Sequence, residues 1–339
     1  MYQNREMKDK IKIDVIGGSG FIGSRLCKRL DEKKADFSII DKSSSFNFPE
    51  RTKIADVRSK MELMDAINHD SIIINLAAEH KDNVRPVSLY DEVNVDGATN
   101  VCDLAREKKI NTIIFTSSVA VYGQVTSEVD ETSETNPSND YGRTKLLAES
   151  VYKSWQEEEP HLRSLVIIRP TVVFGERNRG NVYNLFNQIY SKFFLMIGSG
   201  LNKKSMAYVE NLAAFIEYSI SFDPGIHVYN FVDKPDLTMN QLVAFVKKIF
   251  GRNYDRNLRV PIFLALLIGK VFDLLSFATG KDYGISSIRV KKFCSESVFS
   301  SSISETGFIS PVNFHSALEQ TIVYEFMENN EDIHVYYSE

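Results

Sequence analysis

The run Gly17-Gly18-Ser19-Gly20-Phe21-Ile22-Gly23 follows directly on the apolar, strand-like stretch Ile11-Lys12-Ile13-Asp14-Val15-Ile16, and no other feature narrows the available folds as much. A strand that ends in a glycine turn and continues into the amphipathic stretch Ser24 to Leu30 presents a helix N-terminus, with its free N–H groups, to a diphosphate. Gly17 supplies the tight turn, Gly20 lets a ligand approach the backbone, and Gly23 lets helix and strand touch. Phe21 and Ile22 open the helix and belong to the same cradle. The next strand-like stretch, Phe37-Ser38-Ile39-Ile40, ends at Asp41, where a dinucleotide fold places the carboxylate that accepts hydrogen bonds from the adenosine ribose. A carboxylate there repels a 2′-phosphate, so NAD is expected over NADP, although the adjacent Lys42 pulls the other way. A plain strand-end turn residue is the alternative reading of Asp41.

Further strand-like runs at Ser71 to Leu76, Thr112 to Ser117 and Leu165 to Arg169 alternate with helical ones at Asn94 to Lys109 and Tyr141 to Gln156. This alternation predicts an α/β fold with a doubly wound parallel sheet of Rossmann type. After Arg169-Pro170 the pattern turns irregular and rich in Asn, Gly and aromatics, with helices near Val209 to Phe222 and Met239 to Phe250. The expected organisation is an NAD-binding domain over residues 1–175 and a smaller, interleaved substrate lobe that takes up most of 176–339. A strand and helix near 205–235, including Val228-Tyr229-Asn230-Phe231-Val232, should return to the main sheet.

A chain of 339 residues exceeds one usual core, and 43% hydrophobic with 25% charged residues is globular. Cys27, Cys102 and Cys294 are too scattered for a disulfide framework or a zinc site, so no metal is expected and a reducing compartment is. Met1 to Lys10 lacks an apolar core and no run of 18 apolar residues occurs, so neither a secretory signal nor a spanning helix is expected. A cytoplasmic location follows, and no nucleic-acid partner is expected.

Tyr141 and Lys145 stand at i,i+4 on the third of these helices, which stacks a phenol beside an ammonium. Most such pairs are ordinary helix surface. A neighbouring cation also favours the ionised phenol, so Tyr141 could accept a proton from a substrate hydroxyl near neutral pH. The run Phe115-Thr116-Ser117-Ser118-Val119-Ala120-Val121-Tyr122-Gly123 brings hydroxyls to the carboxyl end of a strand, where ligands of open α/β sheets bind. Ser118 is the expected hydroxyl, with Ser117 as the alternative.

Together with Asn75-Leu76-Ala77-Ala78, these segments resemble the extended short-chain dehydrogenase/reductase family, the nucleotide-sugar epimerases and dehydratases, over nearly the whole chain. The resemblance implies that Ser118, Tyr141 and Lys145 are catalytic, and that Asp56 and Val57 lie at the adenine. It places Leu76, Ala77 and Ala78 along the cofactor and Asn94 beneath the site. It implies hydride exchange with NAD through a transient keto sugar, and often a homodimer. Dehydratases of the family carry an Asp-Glu pair just after the active-site hydroxyl. Val119 and Ala120 stand there and cannot transfer a proton, which disfavours elimination and leaves epimerisation or keto-reduction. An epimerase regenerates its own NAD, so the cofactor should stay tightly bound.

The second lobe departs from the nucleotide-sugar pattern. Lys204 and Ser205 stand where the family usually shows Arg-Asp, and Arg289-Val290-Lys291-Lys292 has the arginine without its companion aspartate. Residues 247–292 hold ten Lys/Arg against three Asp/Glu, +7 in a chain of net charge −5. Within them, Pro261 to Phe277 reads as a helix that is apolar around most of its circumference, with a polar stripe at Lys270, Asp273 and Ser276. It should either be buried in the lobe or lie on an anionic membrane surface.

Ala77-Ala78-Glu79-His80, Arg169 to Tyr183 and Ser287 to Cys294 resemble the family's bacterial O-antigen-cluster subgroup. Its members interconvert N-acetylglucosamine and N-acetylgalactosamine attached through diphosphate to undecaprenol, in lipopolysaccharide biosynthesis. The expected function is therefore a membrane-associated 4-epimerase on the cytoplasmic face of the inner membrane. His80, Asn181, Lys204 and Arg289 are expected substrate contacts, each with a surface or capping role as the alternative. A soluble UDP-sugar 4-epimerase or 4-ketoreductase is the second reading, and an idle nucleotide-binding regulator the third.

Overall fold

The computed structural model describes residues 11–81, 84–191, 194–252, 258–280, 286–330 and 334–337. Met1 to Lys10 and parts of the basic segment (253–257 and 281–285) lie outside the described residues.

Seven parallel strands form the main sheet: β1 (Ile13–Ile16), β2 (Phe37–Asp41), β3 (Thr52–Ile54), β4 (Ile72–Asn75), β5 (Thr112–Thr116), β6 (Ser164–Pro170) and β10 (Gly225–Phe231). Their order is β10-β6-β5-β4-β1-β2-β3. The chain winds outward from β1 in one direction and from β4 in the other, which leaves a crevice between the carboxyl ends of β1 and β4. All seven are short, and the inner strands β1 and β4, together with β6, are buried throughout, as expected for a sheet covered on both faces.

One face carries α2 (Lys60–Ala66), α4 (Gly97–Glu107) and α5 (Asp140–Glu157), which bury Leu63, Leu104 and Trp155 against the sheet. The other carries α1 (Phe21–Glu32) and α7 (Val209–Tyr218), which pack Leu26 and Leu30 against Leu212 and Phe215. So the late strand β10, paired with β6 from Gly225↔Ser164 to Phe231↔Pro170, and helix α7 both join the sheet. Asp14 is fully buried within β1 and accepts hydrogen bonds from Ser38, Asn68 and Ser71.

Two small sheets build the rest: β7 (Val172–Phe174), β9 (Lys203–Tyr208) and β11 (Asp233–Thr238) form one, and β8 (Met196–Ile197) with β12 (Arg259–Val260) the other. They share a separate core with α6 (Asn181–Tyr190), α8 (Met239–Ile249) and α11 (Phe314–Phe326), around Phe174, Phe186, Val243 and Leu318. The short α3 (Ser88–Asp91) leads into a π-helical turn at Glu92–Asp96 ahead of α4, so the helix expected from Asn94 begins irregularly.

Among the described residues, helix α9 (Ile262–Thr279) packs chiefly on α10 (Ser287–Cys294). Ala265 and Gly269 are its buried positions, and a Cβ at Gly269 would stand 2.7 Å from the Ser287 nitrogen. Asp273, from the polar stripe, accepts hydrogen bonds from the Ser287 nitrogen and hydroxyl at the start of α10. The expectation of a helix buried in the lobe is corrected: Phe263 is 74%, Leu274 68% and Phe277 89% exposed. Its contact stripe runs through buried Ala265 and Gly269 and half-buried Phe272, Asp273 and Ser276. Among the described residues, no helix is long and apolar enough to cross a membrane.

Candidate active site

The glycine cradle follows from what a side chain would do there. Gly17 takes φ 77°, and a Cβ on it would stand 2.7 Å from the Ala77 nitrogen across the crevice. A Cβ on Gly23 would stand 2.5 Å from the Gly18 Cα, so helix α1 rests directly on the turn. Gly20 caps α1 without a side-chain acceptor, which leaves the N–H groups of Phe21 and Ile22 facing outward from the helix end. Asp41, at the end of β2, accepts hydrogen bonds from the backbone nitrogens of Ser19 (3.1 Å) and Ser43 (3.0 Å), which binds the second strand to the turn. Burial raises its pKa, and these two hydrogen bonds lower it again.

Across the crevice, Leu76, Ala77 and Ala78 leave β4 in extended backbone, with the Ala77 nitrogen donating to the Asn75 side chain (3.0 Å). Asn94 is buried beneath them. It accepts from the Glu79 nitrogen (3.0 Å) and donates to the Glu79 carbonyl (3.1 Å) and the Thr144 hydroxyl (3.0 Å), so it fastens this loop to α5. Val57 is buried at the β3 end, against Gly97. The Asp56 carboxylate is paired with Arg58 at 2.7 Å, which holds its pKa below the usual range.

Ser118, Tyr141 and Lys145 come together at the carboxyl ends of β4 and β5. Ser118 closes a 3₁₀ turn over Val119–Tyr122, its hydroxyl accepting from the Ala120 nitrogen (3.1 Å). Helix α5 starts against that turn: Asn139 caps it by accepting from the Gly142 nitrogen (2.8 Å), and a Cβ at Gly142 would stand 2.4 Å from the Ala120 carbonyl. Tyr141 therefore faces the Ser118 hydroxyl, which draws its pKa down. One turn on, Lys145 is buried with its ammonium 4.3 Å over the Phe115 ring. Among the described residues no acceptor is bonded to that ammonium, so its three donors are open to a ligand's hydroxyls.

The expected pull of Lys145 on Tyr141 is corrected. Burial pushes the phenol up to about 12, relieved only by Ser118. Burial also pushes Lys145 down to about 7, opposed by Glu149. In the protein alone the pair is desolvated, and each group disfavours its charge. Ser117, the alternative hydroxyl, is committed elsewhere and donates to Glu149 at 2.5 Å.

Beneath the pair lies a network that reading the sequence missed. Glu149, fully buried, accepts from Arg169 at 2.9 and 2.6 Å. Arg169 also donates to the Tyr122 hydroxyl (2.7 Å), which in turn donates to Asn230 (2.9 Å). Two signals were present: Glu149 repeats the i,i+4 spacing after Lys145, and Arg169 is a charge at the end of an otherwise apolar strand.

The remaining candidates are dispersed. His80 is exposed five residues past the end of β4. Asn181 is exposed in the first turn of α6. Lys204 donates to the Lys292 carbonyl (2.7 Å) and the Ser295 hydroxyl (3.3 Å) at the end of α10, and burial lowers its pKa to about 8. Its companion Ser205 donates to Asp236 at 2.6 Å. Arg289 is exposed on α10.

Residues 13–230 match the NAD-dependent epimerase/dehydratase family. The chain is 46% identical over 337 residues to the N-acetyl-α-D-glucosaminyl-diphospho-ditrans,octacis-undecaprenol 4-epimerase of Escherichia coli O157:H7, covering 98% of this chain and 100% of that one. It is 26% identical to the UDP-glucose 4-epimerase of Vibrio cholerae, over 82% of this chain and 87% of that one. In fold it is similar to the UDP-glucose 4-epimerase of Thermus thermophilus in complex with NAD, with a TM-score of 0.70 at 20% identity over 93% and 98% of the two chains. The UDP-N-acetylglucosamine 4-epimerase of Bacillus cereus gives 0.72 at 18% identity over 92% and 98%. The chain belongs to the NAD-dependent epimerase/dehydratase family, among the extended short-chain dehydrogenase/reductases.

Proposed function

We propose that this chain is an NAD-dependent 4-epimerase that interconverts N-acetylglucosamine and N-acetylgalactosamine attached through diphosphate to undecaprenol, in bacterial surface polysaccharide synthesis. Tyr141 takes the proton of the sugar's 4-hydroxyl, and Ser118, which faces Tyr141, holds that hydroxyl in line. The bound dinucleotide supplies reversible acceptance of hydride from the same carbon. Lys145 donates to the ribose hydroxyls and, once they and the ionising phenol surround it, regains its charge and favours the phenolate. When the transient 4-keto sugar has presented its other face, Tyr141 returns the proton to the epimeric hydroxyl. Val119 and Ala120 lie beside Ser118 in the 3₁₀ turn and offer no group for elimination of water.

In this reading Gly17, Gly20, Phe21, Ile22 and Gly23 cradle the diphosphate, Asp41 takes the ribose, and Asp56 and Val57 flank the adenine. Residues 1–175, with the 205–235 strand and helix, form the cofactor lobe, and 176–339 mainly the substrate lobe; His80 of the first and Asn181, Lys204 and Arg289 of the second are the first candidates for sugar-diphosphate contacts. Two copies pair as the resemblance implies, and NAD stays bound between turnovers.

One observation favours a lipid carrier over a nucleotide: α9 exposes Phe263, Leu267, Leu274 and Phe277 on one face with Lys270 among them, and the adjoining α10 exposes Arg289, Lys291 and Lys292. Apolar ridges with a basic rim match the interface of an anionic bilayer, so the enzyme would lie on the cytoplasmic face of the inner membrane and meet its substrate there. The test supplies UDP-linked and undecaprenyl-diphosphate-linked N-acetylglucosamine side by side. N-acetylgalactosamine should form on the lipid carrier, and turnover of the UDP-linked sugar alone would sink the proposal in favour of a soluble UDP-sugar enzyme.

A further inference from the structure

A row of four aromatic rings crosses the edge of the cofactor crevice. Phe46, five residues past Asp41, stacks on His334 with centroids 5.2 Å apart and planes 9° from parallel. His334 meets Tyr336 edge-on at 4.8 Å, and Tyr336 leans on Phe21 at 5.9 Å. The backbone of Tyr336 pairs with the wall formed by the loop after β7: the Arg179 nitrogen donates to its carbonyl and its nitrogen donates to the Arg177 carbonyl, both at 2.8 Å. That wall is itself anchored, because Arg177 donates to Tyr324 (3.0 Å) and Arg179 pairs with Glu325 (2.5 Å) on α11.

The ends of the row locate what it spans. Phe46 lies on the ribose side, beyond the carboxylate that binds Ser19 and Ser43. Phe21 opens α1 directly after Gly20, at the helix end whose N–H groups face the diphosphate. The backbone at 177–179 follows β7 and lies beside α1, where the Glu176 carbonyl accepts from Arg25. A segment that stacks on Phe46, leans on Phe21 and bridges to Asn178 runs along the path of the ADP half, from its ribose to its diphosphate. Nothing in the core requires this arrangement, since Phe46 and His334 are both exposed.

We propose that His334–Tyr337 is a clasp over the bound dinucleotide, and that Phe46, His334 and Tyr336 are cofactor-retaining residues. The proposal rests on the family's NAD dependence and is independent of which sugar carrier is used. Release of NAD must break the ring row or the β-bridge first, so the clasp slows exchange without touching the reacting atoms.

The test measures release of NAD from the loaded full-length chain after transfer into excess labelled NAD. Phe46→Ala and His334→Ala should each release NAD about fivefold faster, the consequence of losing an aromatic pair worth about 1 kcal/mol. Thermal unfolding of the cofactor-free variants should stay near that of the unaltered chain, which separates opening from misfolding. Phe46→Cys with His334→Cys, joined by a short bis-maleimide, should slow release. Variants that release NAD as slowly as the unaltered chain, or a cross-link without effect, overturn the clasp. An unaltered chain that loses NAD at once also overturns it, while family membership, which rests on sequence, stands.

Discussion

The floor of the Tyr141 site and the outer face of α9 both break the rule that charges lie outside and apolar groups inside, in opposite senses. Under Tyr141, Lys145, Glu149 and Arg169 are all buried. On α9, Phe263, Leu274 and Phe277 are all exposed. The first inversion is nearly complete within the chain, because Glu149 and Arg169 satisfy each other and also engage Ser117 and Tyr122. Among the described residues the Lys145 ammonium has only the Phe115 ring against it and no hydrogen-bond acceptor. The second inversion is left open along a whole ridge, since among the described residues only Ala265 and Gly269 of α9 are buried. A buried charge without an acceptor calls for a small polar ligand, whereas an uncovered apolar ridge calls for a phase.

The strongest way to break this comparison is Tyr141→Phe, which removes one oxygen and leaves the ring in place. Turnover should fall by about 10³-fold, within the usual range for a positioned proton-transfer group. The fold should survive, because the ring's packing is retained. Steady-state rates with either carrier check this, and a variant keeping more than a tenth of its activity shows that another base operates.

Glu149→Gln tests the floor itself. Burial pushes Lys145 down to about 7 from 10.5, and Glu149 pulls the other way. Between those values the unfolded chain holds a proton that the folded one has lost, so stability rises with pH across the window, and below it the buried ammonium is a standing cost. Removing the Glu149 charge lowers Lys145 further, so the rise should begin at lower pH. The amide still offers one oxygen to Arg169 or Ser117, and the chain should fold with a loss of ~3 kcal/mol. Denaturant unfolding of the cofactor-free chain from pH 6 to pH 10 measures both effects. Unfolding curves that stay parallel to those of the unaltered chain would deny Glu149 its hold on Lys145.

These regions differed in how far the sequence disclosed them. The crevice was legible because its constraints are local: Gly17 to Gly23 and Tyr141 to Lys145 each act within two helical turns, and alternating strand and helix periods place them on one edge. The floor was not, because Glu149 and Arg169 meet only when α5 crosses β6, and nothing in either segment names the other. The pull of Lys145 on Tyr141 was misjudged for a related reason: spacing gives proximity, whereas desolvation depends on the elements that close over both. Helix α9 was legible as apolar but not as exposed, since periodicity reports which residues share a face and not whether another element covers it. Lys204 is a case between the two, for its departure from the family pattern was readable and its bonds to the end of α10 were not.

The smallest expected effect concerns the rim of α9, and it separates charge from apolar insertion. Lys270 and Lys291 are exposed on α9 and α10, so Lys270→Gln and Lys291→Gln should each weaken binding to vesicles rich in anionic lipid by ~1 kcal/mol, about fivefold. Raised salt should erase that difference, because it screens the surface potential. Phe277→Ser should weaken binding to neutral and anionic vesicles alike, since what it loses is apolar insertion. Vesicle sedimentation across a series of lipid charge and salt distinguishes the two. If neither class of substitution changes binding, the apolar ridge must be covered by a protein surface instead, and the sugar's carrier would then have to be recognised inside the substrate lobe rather than at the bilayer.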